Sequence, residues 1–234
     1  MTHEIVRAKE QVVEAIRMLE RIGLLDMNGH LSARVPGRSD RFFINARGTS
    51  RAVVSTHDLA VCDMEGRPEP GSPEPPSEVF IHSAILRRRP EVGAVLHNHP
   101  HWQIVLGIAG VSPQPVFSIG AFVDAATPVY EHSSLVNTPE MGEELADVLG
   151  SKRMAHIRHH GAVYAGATVQ EVFALAVYAE ENAKKQYQAA LLNPHHCVLA
   201  GENLARTRET NWTPKIVQKV WTYYRDKLLT CEGE

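Results

Sequence analysis

The chain has 234 residues, 44% of them hydrophobic and 22% charged, enough to bury a real core as one large domain or two small ones. Its net charge of −3 leaves no general basic field, which argues against nucleic acid or an anionic membrane as the main partner. The long stretch 98–123, without a formally charged side chain, is broken by Gly107, Gly110, Pro113, Pro115 and Gly120, so it does not meet the need of a membrane span for about 20 unbroken apolar residues.

The N-terminal segment is polar and mixed in charge, without the apolar run of a secretory leader. Three cysteines (Cys62, Cys197 and Cys231) show no paired spacing, and the expectation is free thiols in a reducing cytoplasm. From Glu4 to Leu25 the apolar residues Ile5, Val12, Val13, Ile16, Leu19 and Ile22 recur at helical spacing. Leu31 to Val35 and Arg41 to Ile44 read as short strands separated by the turn-forming stretch Pro36 to Asp40, and Leu59 to Met64 as another. Pro68 to Pro76 holds five prolines and cannot be helical. A helix is expected from Ser77, as its N-cap, to Arg89, where Pro90 stops it. Val92 to His97 reads as a buried strand, and Pro100 opens a short helix around Trp102 to Gly107. Thr138-Pro139-Glu140 opens a helix to Leu149. Ala155 to Arg158 and Ala162 to Tyr164 read as strands, Thr168-x-x-Glu171 caps a helix to about Leu192, and a last helix covers 213–229. Helices and strands alternate without a repeat or a linker, so 1–234 reads as a single α/β domain.

Histidine is the unusual residue, with 13 copies, six of them within 97–101 and 156–160. His97 and His99 stand at i and i+2, which on an extended backbone sends both rings to one side. A metal needs a third ligand, and Arg158-His159-His160-Gly161, between two apolar segments, can supply it. Imidazole suits zinc, manganese, iron and cobalt alike, so the ligand type does not select the metal. For His156, His195 and His196 the plainer reading is a partly buried ring bonded to backbone. His101 reads equally as a group supporting a ligand or as a surface residue, and His82, one turn after Glu78, as a packing residue. A cupin is excluded because no carboxylate closely follows His99. An amidohydrolase barrel is excluded because it opens with its His pair and usually needs about 250 residues.

Ligation by imidazoles leaves positions for substrate, and such chemistry needs a proton donor or acceptor. Glu78, at the opening of a helix after Pro75-Pro76-Ser77, is the candidate; the alternative is a first-turn acid that complements the helix dipole. Arg47-Gly48-Thr49-Ser50 reads either as a cradle for an oxyanion or as an ordinary turn.

The ordered set Gly29-x-x-Ser32-x-Arg34, Ile44-x-x-x-Gly48, Asp58-Leu59-x-x-x-Asp63-x-x-Gly66, Ser77-Glu78-x-x-x-His82, Arg89-Pro90-x-Val92-x-Ala94-x-x-His97-x-His99-Pro100 and His160-Gly161 resembles the class II aldolase/adducin family over about residues 5–190. The resemblance implies a three-layer α/β/α fold with a central, mostly antiparallel sheet, and a homotetramer with active sites between subunits. The helix over 213–229 would then lie at a subunit interface. It also implies a divalent metal on His97, His99 and His160, with Glu78 as acid/base.

Sugar-phosphate aldolases of this family carry Gly-Asn where this chain has Gly29-His30, and a small hydroxyl residue at the place of Arg47. They also carry Ser-Ser-Glu in place of Pro76-Ser77-Glu78. Losing groups that cradle phosphate while gaining His30 and Arg47 points to a carboxylated substrate, held by His30, Arg47, Gly48 and Ser77. The Gly-His-Leu-Ser-Ala-Arg variant resembles manganese-dependent decarboxylases of hydroxylated aromatic or heteroaromatic dicarboxylates, such as a pyridine dicarboxylate of vitamin B6 breakdown. The resemblance therefore implies a carbon–carbon lyase that uses manganese, with zinc or cobalt as substitutes. The alternative enzyme is an aldolase acting on a non-phosphorylated hydroxy-oxo acid. An adducin-like binding module without chemistry predicts loss of the metal ligands, and all three are present.

Overall fold

The computed structural model describes residues 3–123 and 127–231. Seven strands form one sheet: β1 (His30–Val35), β2 (Arg38–Asn45), β3 (Leu59–Asp63), β4 (Ala94–Asn98), β5 (Val129–Tyr130), β6 (Met154–Ile157) and β7 (Gly161–Gly166). Their order is β3-β2-β1-β4-β7-β6-β5. Every pairing is antiparallel except β5 with β6.

Strands β2, β4 and β7 are apolar on both faces, so their alternate residues enter different cores, whereas β1 turns His30, Ser32 and Arg34 to one face. Leu96, Phe43 and Tyr164 join one cluster with α1 (His3–Arg21), α5 (Val169–Leu192) and α7 (Pro214–Cys231). Val95, Phe42, Ile44 and Val163 join the other, with α2 (Val79–Arg88) and α4 (Pro139–Leu149). The expected three-layer α/β/α arrangement is the one observed.

Several boundaries differ from the expected ones. The first helix ends at Arg21, four residues early, because Gly23 takes φ +71° and turns Leu24 and Leu25 back into the core. The β1–β2 hairpin turns on Pro36-Gly37 alone, with Gly37 at φ +74°, and β2 begins at Arg38. Ser77 does not cap α2: that helix starts at Val79, and Glu78 occupies the cap position without a side-chain cap bond. Two elements escaped the periodicity, the two-residue β5 and α6 (Gly201–Asn211), which has no buried residue. The C-terminal helix α7 buries Val217, Val220 and Trp221 against its own chain and leaves Tyr223 and Leu229 exposed. Among the described residues no helix is long and apolar enough to cross a membrane. Cys62 is a buried free thiol, pushed up to about 12 by burial, and Cys197 is an exposed one; the Cys231 side chain lies outside the described residues.

Candidate metal centre

The site forms where the ends of β1, β4 and β7 meet the start of α2. His30 and His97 are directly opposed on β1 and β4, so their rings share a face, the one that α2 covers. Their ring centroids are 5.0 Å apart. His99 lies just beyond β4, and His160 is in the β6–β7 turn immediately before Gly161. His159 in that turn takes φ +58°, a left-handed conformation costly for a side-chain-bearing residue. A Cβ on Gly161 would lie 2.2 Å from the Asn98 carbonyl oxygen and 3.0 Å from the His99 ring, so glycine lets the turn close on the β4 end.

The donor atoms of His97, His99 and His160 all lie within 4.8 Å of one another. Their hydrogen bonds show which ring atoms are free. His97 Nδ1 donates to the Ala162 carbonyl at 3.0 Å, and His99 Nδ1 donates to Asp26 Oδ2 at 2.9 Å. In both rings Nε2 is then a buried nitrogen with no partner, and in His160 Nδ1 is another. Burial holds the His97 ring well below its usual range and that of His160 below it, so both are neutral and ready to ligate. Several orphaned buried nitrogens around one centre are unfavourable unless a cation joins them. These residues therefore fit a divalent metal.

Glu78 completes the cluster. It is 4% exposed, and Oε2 lies 3.6 Å from His30 Nε2 and 3.7 Å from His97 Nε2, while Oε1 lies 3.8 Å from His160 Nε2. Oε1 also accepts the Val136 amide at 3.0 Å. Burial alone would push this carboxyl up. The His30 and His97 rings facing it and the Val136 amide outweigh that and hold the group at about 2, so it rests ionised.

The other sequence-selected residues separate. Arg47 is exposed and paired with Glu74 at 3.2 Å. With Gly48 it lines a cavity of about 550 Å3 that also includes Asp26, Thr49 and Arg51. His30 is buried and bonded to His82, with no hydrogen bond to Arg47 among the described residues. Ser77 is half-buried, next to Glu78. His101 is at the surface and His195 is exposed rather than partly buried. His196 is half-buried with both ring nitrogens unpartnered rather than bonded to backbone. His156 is buried as expected, but its ring bonds to the Gln103 side chain at 3.1 Å, not to backbone.

Two contributors were not found from sequence. Asp26 orients His99 and accepts the Asn28 and Gly29 amides. Burial opposes its charge, yet these bonds keep the carboxyl below its ordinary range. Arg51, only 3% exposed, donates to the carbonyls of Gly29, Ala46 and Thr49, tying the Arg47 loop to the strand end that carries His30. The one available signal was an acidic residue three positions before Gly29.

Residues 10–187 match the family described as Class II Aldolase and Adducin N-terminal domain. The chain belongs to the class II aldolase and adducin family. It is 29% identical over 212 residues to a 3,4-dihydroxyphthalate decarboxylase of Terrabacter sp. (strain DBF63), covering 84% of this chain and 87% of that one. It is 27% identical over 206 residues to a 5-methylthioribulose-1-phosphate/5-deoxyribulose-1-phosphate aldolase of Rhodospirillum rubrum, covering 87% and 90%. Among solved structures, L-fuculose 1-phosphate aldolase from Glaciozyma antarctica PI12 superposes with a TM-score of 0.85 at 21% identity, covering 98% of this chain and 91% of that one. That likeness bears out the class II aldolase fold.

Proposed function

We propose that this class II aldolase family member is a divalent-metal-dependent carbon–carbon lyase, and within that class a decarboxylase of a hydroxylated aromatic or heteroaromatic dicarboxylate. The observation that carries the reading is the meeting of His97, His99 and His160, with unpartnered ring nitrogens, beside the buried carboxylate of Glu78. The decarboxylase relative supports the reaction and the substrate class. The specific candidate is 3-hydroxy-2-methylpyridine-4,5-dicarboxylate losing its 4-carboxylate as CO2, with manganese as the metal; 3,4-dihydroxyphthalate is the comparison substrate.

When bound by the three histidines, a cation contributes Lewis acidity that stabilises the negative charge left on the ring. The chain's own residues supply the proton and the orientation. Glu78 starts ionised, so it first acts as a base, taking the proton of the ring 3-hydroxyl. It then returns that proton to C4, where a C–H bond replaces the C–C bond to the departing CO2. Arg47 leaves Glu74, an exposed pair worth at most about 1 kcal/mol, and holds the spectator 5-carboxylate bidentately. Gly48 and Ser77 line the approach. His30, read from sequence as a second substrate anchor, is instead assigned to Glu78, which its Nε2 faces.

We extend the reading to a cytoplasmic homotetramer with its sites between subunits. Exposed Met27 and Leu135 support this, since each adjoins a segment that contacts the site.

The test is CO2 release by metal-loaded protein from a panel of hydroxylated aromatic dicarboxylates, run beside aldehyde release from non-phosphorylated hydroxy-oxo acids. Glu78→Gln keeps the metal and lowers turnover by roughly 10²–10⁴-fold. Near-normal turnover in that variant refutes its role. Aldehyde release without CO2 replaces the decarboxylase with the aldolase reading, which the aldolase relative supports.

A further inference from the structure

Behind Glu78 lies a second line of polar groups that the proposed reaction does not use. His30 Nδ1 and His82 Nε2 are 2.7 Å apart, and His82 Nδ1 is 2.6 Å from Ser32 Oγ. Ser32, His82 and His30 are each at most 1% exposed. They sit between β1 and α2, where Ile44 and Val95 stand opposite Ser32 on the neighbouring strands. A buried imidazole with no solvent access is costly there unless both nitrogens are bonded, and both nitrogens of His82 are. The open end of the line is His30 Nε2, which has no partner within hydrogen-bond length and stands 3.6 Å from Glu78 Oε2.

Each contact in the line carries one hydrogen, so the two ring tautomers are set together. Ionised Glu78 can only accept, so His30 Nε2, 3.6 Å from Oε2, carries the hydrogen that faces it, and the directions of the other two contacts follow from that end of the line. The hydroxyl therefore donates to His82 Nδ1, His82 Nε2–H donates to His30 Nδ1, and His30 Nε2–H is turned on the Glu78 carboxylate. The other oxygen of Glu78 is already fixed by the Val136 amide. Two donors thus define the carboxylate plane, one from the backbone and one at the end of the line.

We propose that His82 is a positioning residue for Glu78: acting through His30 and anchored by Ser32, it fixes the imidazole N–H that orients the carboxylate. The inference rests on the reading of Glu78 as the acid/base group. Substitution of His82 should therefore lower kcat while leaving KM and metal content unchanged.

Two substitutions separate positioning from packing. In His82→Gln the side-chain amide reaches the place of Nε2 and still donates to His30 Nδ1. In His82→Asn the amide reaches only the place of Nδ1, keeping Ser32 and losing His30. The expected result is that His82→Asn loses about 10–100-fold in kcat, whereas His82→Gln restores most of it, with equal metal content in both. Equal kcat in the two variants, or loss of metal in His82→Asn alone, overturns the proposal.

A second measurement is independent of turnover. Nitrogen-15 spectra of the imidazoles in metal-free protein should show His82 and His30 each as a single Nε2–H tautomer, and His30 as a mixture in His82→Asn. An Nδ1–H tautomer at His82 refutes the donor line even if no substrate is ever found. Failure of CO2 release with the tautomers as expected refutes the decarboxylase reading alone.

Discussion

Replacing Gly161 with alanine tests whether the close approach of the β6–β7 turn to the end of β4 builds the metal centre. The added Cβ would stand 2.2 Å from the Asn98 carbonyl oxygen, 3.0 Å from His99 Cδ2 and 3.2 Å from the Asn98 carbonyl carbon. The nearest obstacle is backbone in a paired strand, opposite Ala162, so no flexible side chain can give way. Restoring van der Waals separation requires the turn to retreat by about 1 Å, since non-bonded heavy atoms settle near 3.5 Å. His160 is covalently next to the displaced residue and His99 touches the new methyl, so two of the three ligands move. Overpacking of this kind costs about 1–3 kcal/mol of stability, and a misplacement of about 1 Å at a site can cost 10²-fold in function. Chelator competition should show weakened metal binding, and a thermal melt the lost stability. Gly48→Ala is the control, because nothing lies within 4 Å of its added Cβ, and stability and metal affinity should be unchanged. Wild-type metal affinity and melting temperature in Gly161→Ala would show that the turn does not position the ligands.

Other perturbations separate the parts of the site. Asp26→Asn removes the carboxylate that fixes the His99 tautomer and should weaken metal binding by about 10–100-fold; unchanged affinity in a chelator titration refutes that role. Arg47→Ala should raise KM for a dicarboxylate by about tenfold or more, as expected for losing a charged hydrogen bond of roughly 1.5–3 kcal/mol, while kcat changes less; an unchanged KM removes Arg47 from the substrate site. Burial holds His156 down at about 4 from a usual 6.5, with the Arg158 charge assisting. The unfolded chain therefore takes up a proton that the folded one refuses, and this one group's share of the stability, about 3 kcal/mol, is lost as pH drops from about 6.5 to about 4. Urea midpoints across that window should show the fall, and His156→Gln should make it shallower, the other depressed histidines supplying the rest; an equal slope in the two proteins refutes the assignment.

The fold was legible because β2, β4 and β7 carry apolar residues on both faces and the long helices an amphipathic stripe or a capping box. The missed elements lacked those signals. The polar helix α6 buries nothing, and β5 is two residues held by parallel pairing with a strand reached only through α4. At the site, the His97 and His99 pair was legible because period-two spacing at a strand end says where side chains go. His160 and Glu78 needed the family pattern, since a turn histidine and a first-turn acid each have an ordinary structural explanation. Asp26 and His82 were less visible still. Their roles come from a sheet register and a helix seated across it, and no local spacing in the chain encodes either.

That register bears on how the site differs from the sugar-phosphate aldolases. Because His30 opposes His97 in the β1–β4 pairing, whatever residue stands at position 30 faces the metal-side histidine and the helix that carries Glu78. An asparagine there has a short amide that ends near the backbone. An imidazole extends farther and offers nitrogens on two edges, one reaching His82 and the other reaching toward Glu78. On the proposed reading, a histidine at position 30 links His82 and Ser32 to Glu78 and serves the carboxylate rather than the substrate. Installing asparagine at position 30 tests this: His30→Asn should keep the metal, because none of His97, His99 and His160 depends on His30 for a hydrogen bond. It should reduce kcat to the same extent as His82→Asn, and combining the two changes should cost little more than either alone, since both break one line. Additive losses in that double-mutant cycle would mean that His30 and His82 act separately, and the line from Ser32 to Glu78 would then have no part in turnover.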